Sequence, residues 1–256
     1  MFKIATWNVN SLKVRLPHVL QWLESESPDV LALQETKSID ENFPLEAINE
    51  AGYQVSYIGQ KTYNGVATLC KSSIETIANC LPDYDDVQRR VLAINNSNIT
   101  VLNLYIPNGS EVESDKYRYK LEWFSKLHPF IKQLQADNDK LIILGDFNIA
   151  PEDEDVHDPE AWQGSILVSP AERDEFDKLL AHGFKDCFRL FAQDEKSFSW
   201  WDYRQAAFRR GRGMRIDHIL ASDALSGSCK ACYIDKEPRK LERPSDHTPV
   251  VAEFDI

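Results

Sequence analysis

Leu141-Ile142-Ile143-Leu144-Gly145-Asp146-Phe147-Asn148-Ile149-Ala150 is the stretch whose reading decides the rest. Four uncharged aliphatic residues run into a glycine, an aspartate and an asparagine. An apolar run this short and unbroken predicts a strand buried on both faces. Gly145 lets the chain turn at the strand end without a Cβ penalty. Asp146 and Asn148 are two apart, so in an extended segment they point the same way. A carboxylate and an amide then stand side by side just beyond the carboxyl end of a core strand, where open α/β sheets place their chemistry. Taken alone, Asp and Asn after a strand are ordinary turn residues. Partners elsewhere in the chain decide between the two readings.

The chain has 256 residues, 43% hydrophobic and 27% charged, which suits a soluble globular protein with a sizeable core. It carries 41 acidic against 29 basic residues, a net charge of −12. That balance excludes a broadly basic nucleic-acid coat but not an enzyme with a local basic groove, and it suits a metal site. The five cysteines stand at 70, 80, 187, 229 and 232. Cys229-x-x-Cys232 has no second pair, no nearby histidines and no thioredoxin-like context, so reduced thiols are expected rather than zinc or a redox motif. No apolar run approaches membrane-spanning length, and Phe2-Lys3-Ile4 enters a strand at once, without signal-peptide architecture. A soluble, cytoplasmic protein is expected.

Strands are predicted at 2–9 and 30–33, with a helix over 12–26 between them whose stripe is Leu16, Val19, Leu20 and Leu23. Pro17 falls in the first turns of that helix, where proline is tolerated best. This is a βαβ-like opening with polar residues at each strand end. Segments 54–58, 65–70, 91–94 and 100–104 read as an antiparallel meander. A long helix follows over 115–135, kinked at Pro129. Ser169 with Glu172 forms a capping box for a further helix, with Pro170 at its first position and Gly183 at its stop. Strands at 216–220 and 250–254 close the chain. No linker divides it, so the expectation is one domain, 1–256, with two sheets packed face to face and helices outside.

Glu35, Tyr105, Asp146, Asn148, Asp217 and the Asp246-His247 pair all fall in or beside predicted strand ends, as does Asn8. Each has an ordinary structural reading: a surface acid, an interface aromatic, a partner for an arginine, a turn cap. Jointly they make an inventory. Glu35 offers a hard oxygen for Mg²⁺, which is commonly held by one or two carboxylates plus water and substrate phosphate. Asp146 can take a proton from water and Asn148 can orient it. Asp217 can fix the tautomer of His247. Tyr105 can hydrogen-bond a phosphate or leaving oxygen. No covalent serine or cysteine is needed, which points to a metal-assisted phosphodiester hydrolase. His18, His128, His157 and His182 read as surface residues, and His218, on the strand face opposite Asp217, as structural.

Trp7-Asn8-Val9-Asn10-Ser11-Leu12, Leu33-Gln34-Glu35-Thr36-Lys37, Tyr105-Ile-Pro-Asn-Gly109, Gly145-Asp-Phe-Asn148, Arg215-Ile-Asp217 and Ser245-Asp-His247 stand in an order that resembles the exonuclease III family of apurinic/apyrimidinic endonucleases. The similarity runs from Ile4 to Phe254. It implies a four-layer α/β sandwich of the endonuclease/exonuclease/phosphatase type, in which two mixed sheets are flanked by helices. It also implies Mg²⁺, with Mn²⁺ as a substitute, and duplex DNA with abasic sites or 3′ ends as partner of a monomer that joins the nucleoid when on DNA. By the same resemblance Asn8 and Glu35 belong at the metal, and Asp246 at a second metal or the water. Asp146 and Asn148 belong at the water, Tyr105 at the phosphate, and Asp217–His247 at the phosphate or in base catalysis. Whether Asp146 or His247 removes the water proton stays open. Some relatives carry Asp in place of Asn10 and Trp in place of Met214, and the loop 158–167 is expected near the pocket.

Positive charge falls in clusters at Arg89-Arg90, at Lys116, Arg118 and Lys120, between Arg204 and Arg215, and at Arg239-Lys240. Two of these follow proposed site strands, so a local phosphate-binding rim is expected through Arg89, Arg90, Lys116, Lys120, Arg209 and Arg210, together with Asn108. The resemblance places Trp201 and Met214 against the abasic sugar or terminal nucleotide. Rival readings are a phosphoinositide phosphatase or sphingomyelinase of the same superfamily, and a DNA-binding relative without catalysis.

Overall fold

The fold follows from strands that are apolar on both faces. A computed structural model describes residues 1–256. In chain order the elements are β1 (Phe2–Asn8), α1 (Leu12–Glu26), β2 (Val30–Gln34), α2 (Leu45–Glu50), β3 (Gln54–Ile58), β4 (Val66–Cys70), β5 (Ile74–Ala78), β6 (Val91–Asn96), β7 (Ile99–Tyr105) and α3 (Asp115–Asp137). There follow β8 (Leu141–Asp146), α4 (Pro159–Trp162), α5 (Pro170–Ala181), β9 (Phe184–Asp186), β10 (Asp217–Ser222), α6 (Asp223–Ser226), β11 (Cys229–Ile234) and β12 (Val250–Phe254). One sheet has the order β11-β12-β1-β2-β4-β3 and the other β5-β6-β7-β8-β10-β9. Both are mixed: β1 runs parallel to β2 across α1, and β7 parallel to β8 across α3, while the other pairs are antiparallel.

Strand periodicity sorts the side chains into layers. Ile4, Ala32, Val66, Ile94, Val101, Ile142, Leu144 and Ile219 meet between the sheets. Their alternates divide outward. Ala5, Trp7, Leu31 and Leu33 pack with Leu12, Val19 and Leu23 of α1. Leu141 and Ile143 pack with Trp123, Phe124 and Ile131 of α3 and Phe176 and Leu179 of α5. The result is helix, sheet, sheet, helix: the four-layer α/β sandwich. No helix is long and apolar enough to cross a membrane.

Two expectations are corrected. The expected meander over 54–104 splits, because β3 and β4 join the first sheet while β5, β6 and β7 form an edge of the second. Gly145 lies inside β8 rather than at a turn beyond it. Its φ is 143°, and a Cβ there would stand 1.9 Å from the Leu104 carbonyl oxygen of β7. The glycine allows close strand approach beneath the site.

Candidate active site

The site sits at the top of the gap between the sheets, and strand parity puts it there. Asp146 has the parity of Ile142 and Leu144, so its side chain enters the gap. It is in register with Tyr105 on one side and Asp217 on the other. From the facing sheet Asn8 continues the parity of Ile4 and Thr6, and Glu35 follows directly after β2. One layer down is a buried polar tier. Gln34 Nε2 donates to Thr6 Oγ1 at 2.9 Å and to Asn103 Oδ1 at 2.8 Å, and Asn103 Nδ2 donates to the Ala67 carbonyl at 3.0 Å. The two bonds of Asn103 cross the gap and fix the spacing of the two sheets under the site.

Asn8 joins the two sheets at the top. Its Nδ2 donates to Glu35 Oε1 and to Asp146 Oδ2, both at 2.9 Å, while its Oδ1 accepts from the Asn10 backbone at 3.0 Å. Burial and the nearby Glu35 charge push the Tyr105 hydroxyl well above its ordinary value, and the Arg90 guanidinium lies 4.5 Å from the centre of the Tyr105 ring. Asn148 does not reach the site by strand alternation as expected. Its φ is 50°, a left-handed turn, stabilised by its own N–H donating to Asp146 Oδ1 at 2.9 Å. Its Nδ2 donates to the Ile106 carbonyl at 3.0 Å, and its Oδ1 accepts from Asn108 Nδ2 at 2.8 Å.

His247 is aimed from behind. Its Nδ1 donates to Asp217 Oδ2 at 2.9 Å, and its Nε2 stands 3.7 Å from Asp146 Oδ2. Asp217 is itself held by the Ser199 hydroxyl at 2.6 Å. The His247 loop is pinned to β1, where Ser245 Oγ donates to the Asn8 carbonyl at 2.7 Å and Trp7 Nε1 donates to the His247 carbonyl at 3.3 Å.

The electrostatics separate the two titratable groups. Burial, with the charges of Asp217 and Glu35, pushes Asp146 up to about 7, although His247 and the Asn8 hydrogen bond oppose the rise. Burial alone would depress His247, but Asp217, Asp146 and Asp246 outweigh it and lift it to about 10. Burial would likewise raise Asp246, but His247, Asn10 and Trp200 hold it below the usual carboxylate range. His218 is pushed down to about 4 by burial and by Arg215, and it bonds the Ile149 carbonyl on the outer face as expected of a structural residue.

The donor set fits a hard divalent cation. Glu35, Asp146 and His247 bring ligand atoms within 4.8 Å of one another. A protonated imidazole would not ligate, which leaves Glu35 and Asp146 as the groups that could hold a metal. Two carboxylates completed by water and phosphate oxygens are what Mg²⁺ prefers. The other two residues expected at the metal are placed differently. Asn8 turns its amide hydrogens, not its oxygen, toward the carboxylates. Asp246 lies outside the cluster, with its oxygens accepting from Asn10 Nδ2 at 2.9 Å and Trp200 Nε1 at 3.1 Å.

The expected rim also divides. Asn108, Lys116, Arg209 and Arg210 are exposed and Arg89 is half-buried. Asn108, Lys116 and Arg90 line a cavity of about 340 Å³ beside the site. Arg90 is largely buried, and its Nη1 donates to the Tyr105 carbonyl at 3.0 Å, so it braces the phenol. Lys120 is fully buried and paired with Glu172 at 2.5 Å, which removes it from any surface contact. Arg215, in the same sequence cluster as Arg209, is also buried, between Asp155 and Asp186. Trp201 and Met214 are buried too, Trp201 against Phe208 and Met214 among Ala150, Val156 and Ile216. The half-buried indole at the site is Trp200. Backbone bridges to Met214 and His247 hold it, with its ring centre 6.5 Å from that of His247. Lys37 was also missed: its Nζ lies 2.7 Å from Glu35 Oε2 and 2.5 Å from Asn10 Oδ1. Its place directly after Gln34-Glu35-Thr36 was the available signal.

A two-sheet sandwich with carboxylates, an amide and an Asp–His pair across its upper gap defines a class, and residues 5–247 match the Endonuclease/Exonuclease/phosphatase family. The chain belongs to that family. Exodeoxyribonuclease III of Haemophilus influenzae is 36% identical over 98% of this chain and 99% of its own length. Among solved structures, a Neisseria 3′ phosphatase bound to a product DNA hairpin is 46% identical with a TM-score of 0.98, both chains being covered in full. An AP endonuclease from Archaeoglobus fulgidus is 37% identical with a TM-score of 0.95, again over the whole of both chains. Within the family, the chain groups with exodeoxyribonuclease III and the AP endonucleases.

Proposed function

We infer that this chain is a metal-dependent DNA-repair phosphodiesterase that directs water onto the phosphodiester 5′ to an abasic site and onto blocked or unblocked 3′ ends. The observation that carries the reading is the cross-sheet cluster in which Asn8 bridges Glu35 and Asp146 while Asp217 aims His247 at the same Asp146. Relatives along the full length that include an exodeoxyribonuclease III, a DNA-bound 3′ phosphatase and an AP endonuclease support DNA as the substrate.

Glu35 and Asp146 would hold Mg²⁺, or Mn²⁺ in its place, which supplies charge stabilisation at the phosphoryl oxygens. Asp146 accepts the proton of the attacking water, and Asn148 orients that water with the amide hydrogen that Ile106 leaves free. His247, protonated at neutral pH, acts as the fixed positive charge facing the phosphate rather than as the base. Tyr105 donates toward the phosphate from its seat between Glu35 and Arg90. Trp200 supplies the flat apolar wall for the deoxyribose or terminal nucleotide, and Lys116, Arg209 and Arg210 hold the duplex backbone.

The test uses purified protein with a duplex carrying one abasic site and a duplex with a 3′-phosphate, each with Mg²⁺ or with EDTA. Cleavage of both is expected with Mg²⁺ and of neither with EDTA. Failure to act on either duplex with Mg²⁺ contradicts the reading.

A further inference from the structure

We propose that Lys120 is a positioning residue that holds the Asn108–Asn148 amide pair in place at the mouth of the site; the proposal rests on the functional reading above. Lys120 lies on α3, one of two chain segments that meet beneath the catalytic turn, and is fully buried. An ammonium has three N–H donors, and all three are used. They reach the Asn148 carbonyl at 2.7 Å, Glu172 Oε1 at 2.5 Å and the Asn108 carbonyl at 3.4 Å. These two carbonyls belong to the same residues whose side chains bond each other, Asn108 Nδ2 to Asn148 Oδ1 at 2.8 Å. One charge therefore ties the left-handed turn at Asn148 to the separate segment that carries Asn108, and fixes the amide that Asn148 presents.

The ammonium is itself immobilised. Glu172 spends its second oxygen on the Ser169 backbone at 3.2 Å and the Ser169 hydroxyl at 2.6 Å, and Ser169 Oγ meets the Tyr117 hydroxyl at 2.7 Å. The chain of contacts runs from the capped start of α5, through the buried pair, to the turn that carries Asn148. A buried ion pair contributes little net stability relative to apolar residues of similar volume, so its value here is geometric. Orientation is where that value is felt, because a misplacement of about 1 Å can cost about a hundredfold in rate.

Lys120→Met alone leaves Glu172 unpaired in the interior, so the test uses the double variant Lys120→Met/Glu172→Gln, whose glutamine keeps the capping box. On the abasic duplex, kcat is expected to fall about 10- to 100-fold while DNA affinity stays within about twofold. In an Asn148→Ala background the same double change should cost less than about threefold, since the turn it positions has already lost its amide. The readout free of activity is hydrogen exchange. The Asn148 backbone N–H, bonded to Asp146, should exchange at least about tenfold faster in the variant while the α3 amides keep their protection. Wild-type protein that cleaves no DNA sinks the functional reading, and exchange alone then judges Lys120. Unchanged Asn148 exchange, or a rate loss as large in the Asn148→Ala background as in wild type, overturns the proposal.

Discussion

In the proposed mechanism Asp146 and His247 divide one task between two charges, and their separation gives the most direct predictions. Asp146→Asn keeps the shape and removes the proton acceptor, so kcat on an abasic duplex should fall roughly 10²–10⁴-fold. His247→Asn should cost roughly 10²–10³-fold with DNA affinity little changed, as measured by single-turnover rates beside binding titrations. The linkage is specific in sign. Asp146 is held above the ordinary carboxylate value, so its contribution to stability is full below about pH 4 and is lost as pH rises through about 7. The melting temperature of metal-free Asp146→Asn, relative to wild type, should therefore climb between those two pH values; a flat difference across the window contradicts the burial of an ionising carboxylate. Most of these residues were legible in the sequence because strand ends collect them in recognisable spacings. Trp200 and Trp201 were not separable, since they lie in an irregular segment where no period says which indole faces inward. Lys120 and Met214 looked like surface contacts because sequence shows a charge or a bulk but not the partner that buries it.

At the level of elements, β8 carries the site and depends on its one glycine. Gly145→Ala would press a Cβ into the Leu104 carbonyl at an unfavourable φ, and should cost on the order of 3 kcal/mol in urea unfolding together with activity. At α5 the capping box has both reciprocal bonds in place. Ser169→Ala should cost about 1 kcal/mol by the same measurement. α5 was readable because its capping box and period agreed, and α1, β3 and β12 because their apolar patterns were clear. β5, β9 and β11 were not, because they are short or half-polar edge strands with too few buried positions to show a period. The split of the expected meander had the same cause: hairpin spacing says that strands turn back, not which sheet receives them.

The whole molecule sets an acidic chain to work on a polyanion. A net charge of −12 does not attract DNA, so the proposed binding calls on exposed cations such as Lys116, Arg209 and Arg210. Arg209→Ala/Arg210→Ala should weaken binding to any duplex and reduce the slope of log K against log salt by about 1–2; an unchanged slope removes these residues from the interface. The sandwich itself was legible as two sheets with helices outside, since continuous apolar strands demand cover on both faces. The central claim is that water, activated at Asp146, attacks the phosphorus. Cleaving an abasic duplex in oxygen-18 water and weighing the fragments tests it most directly. The account predicts one labelled oxygen on the 5′-terminal phosphate of one product and a plain 3′-hydroxyl on the other. An unlabelled phosphate paired with an unsaturated 3′ sugar, the mark of elimination, would contradict it.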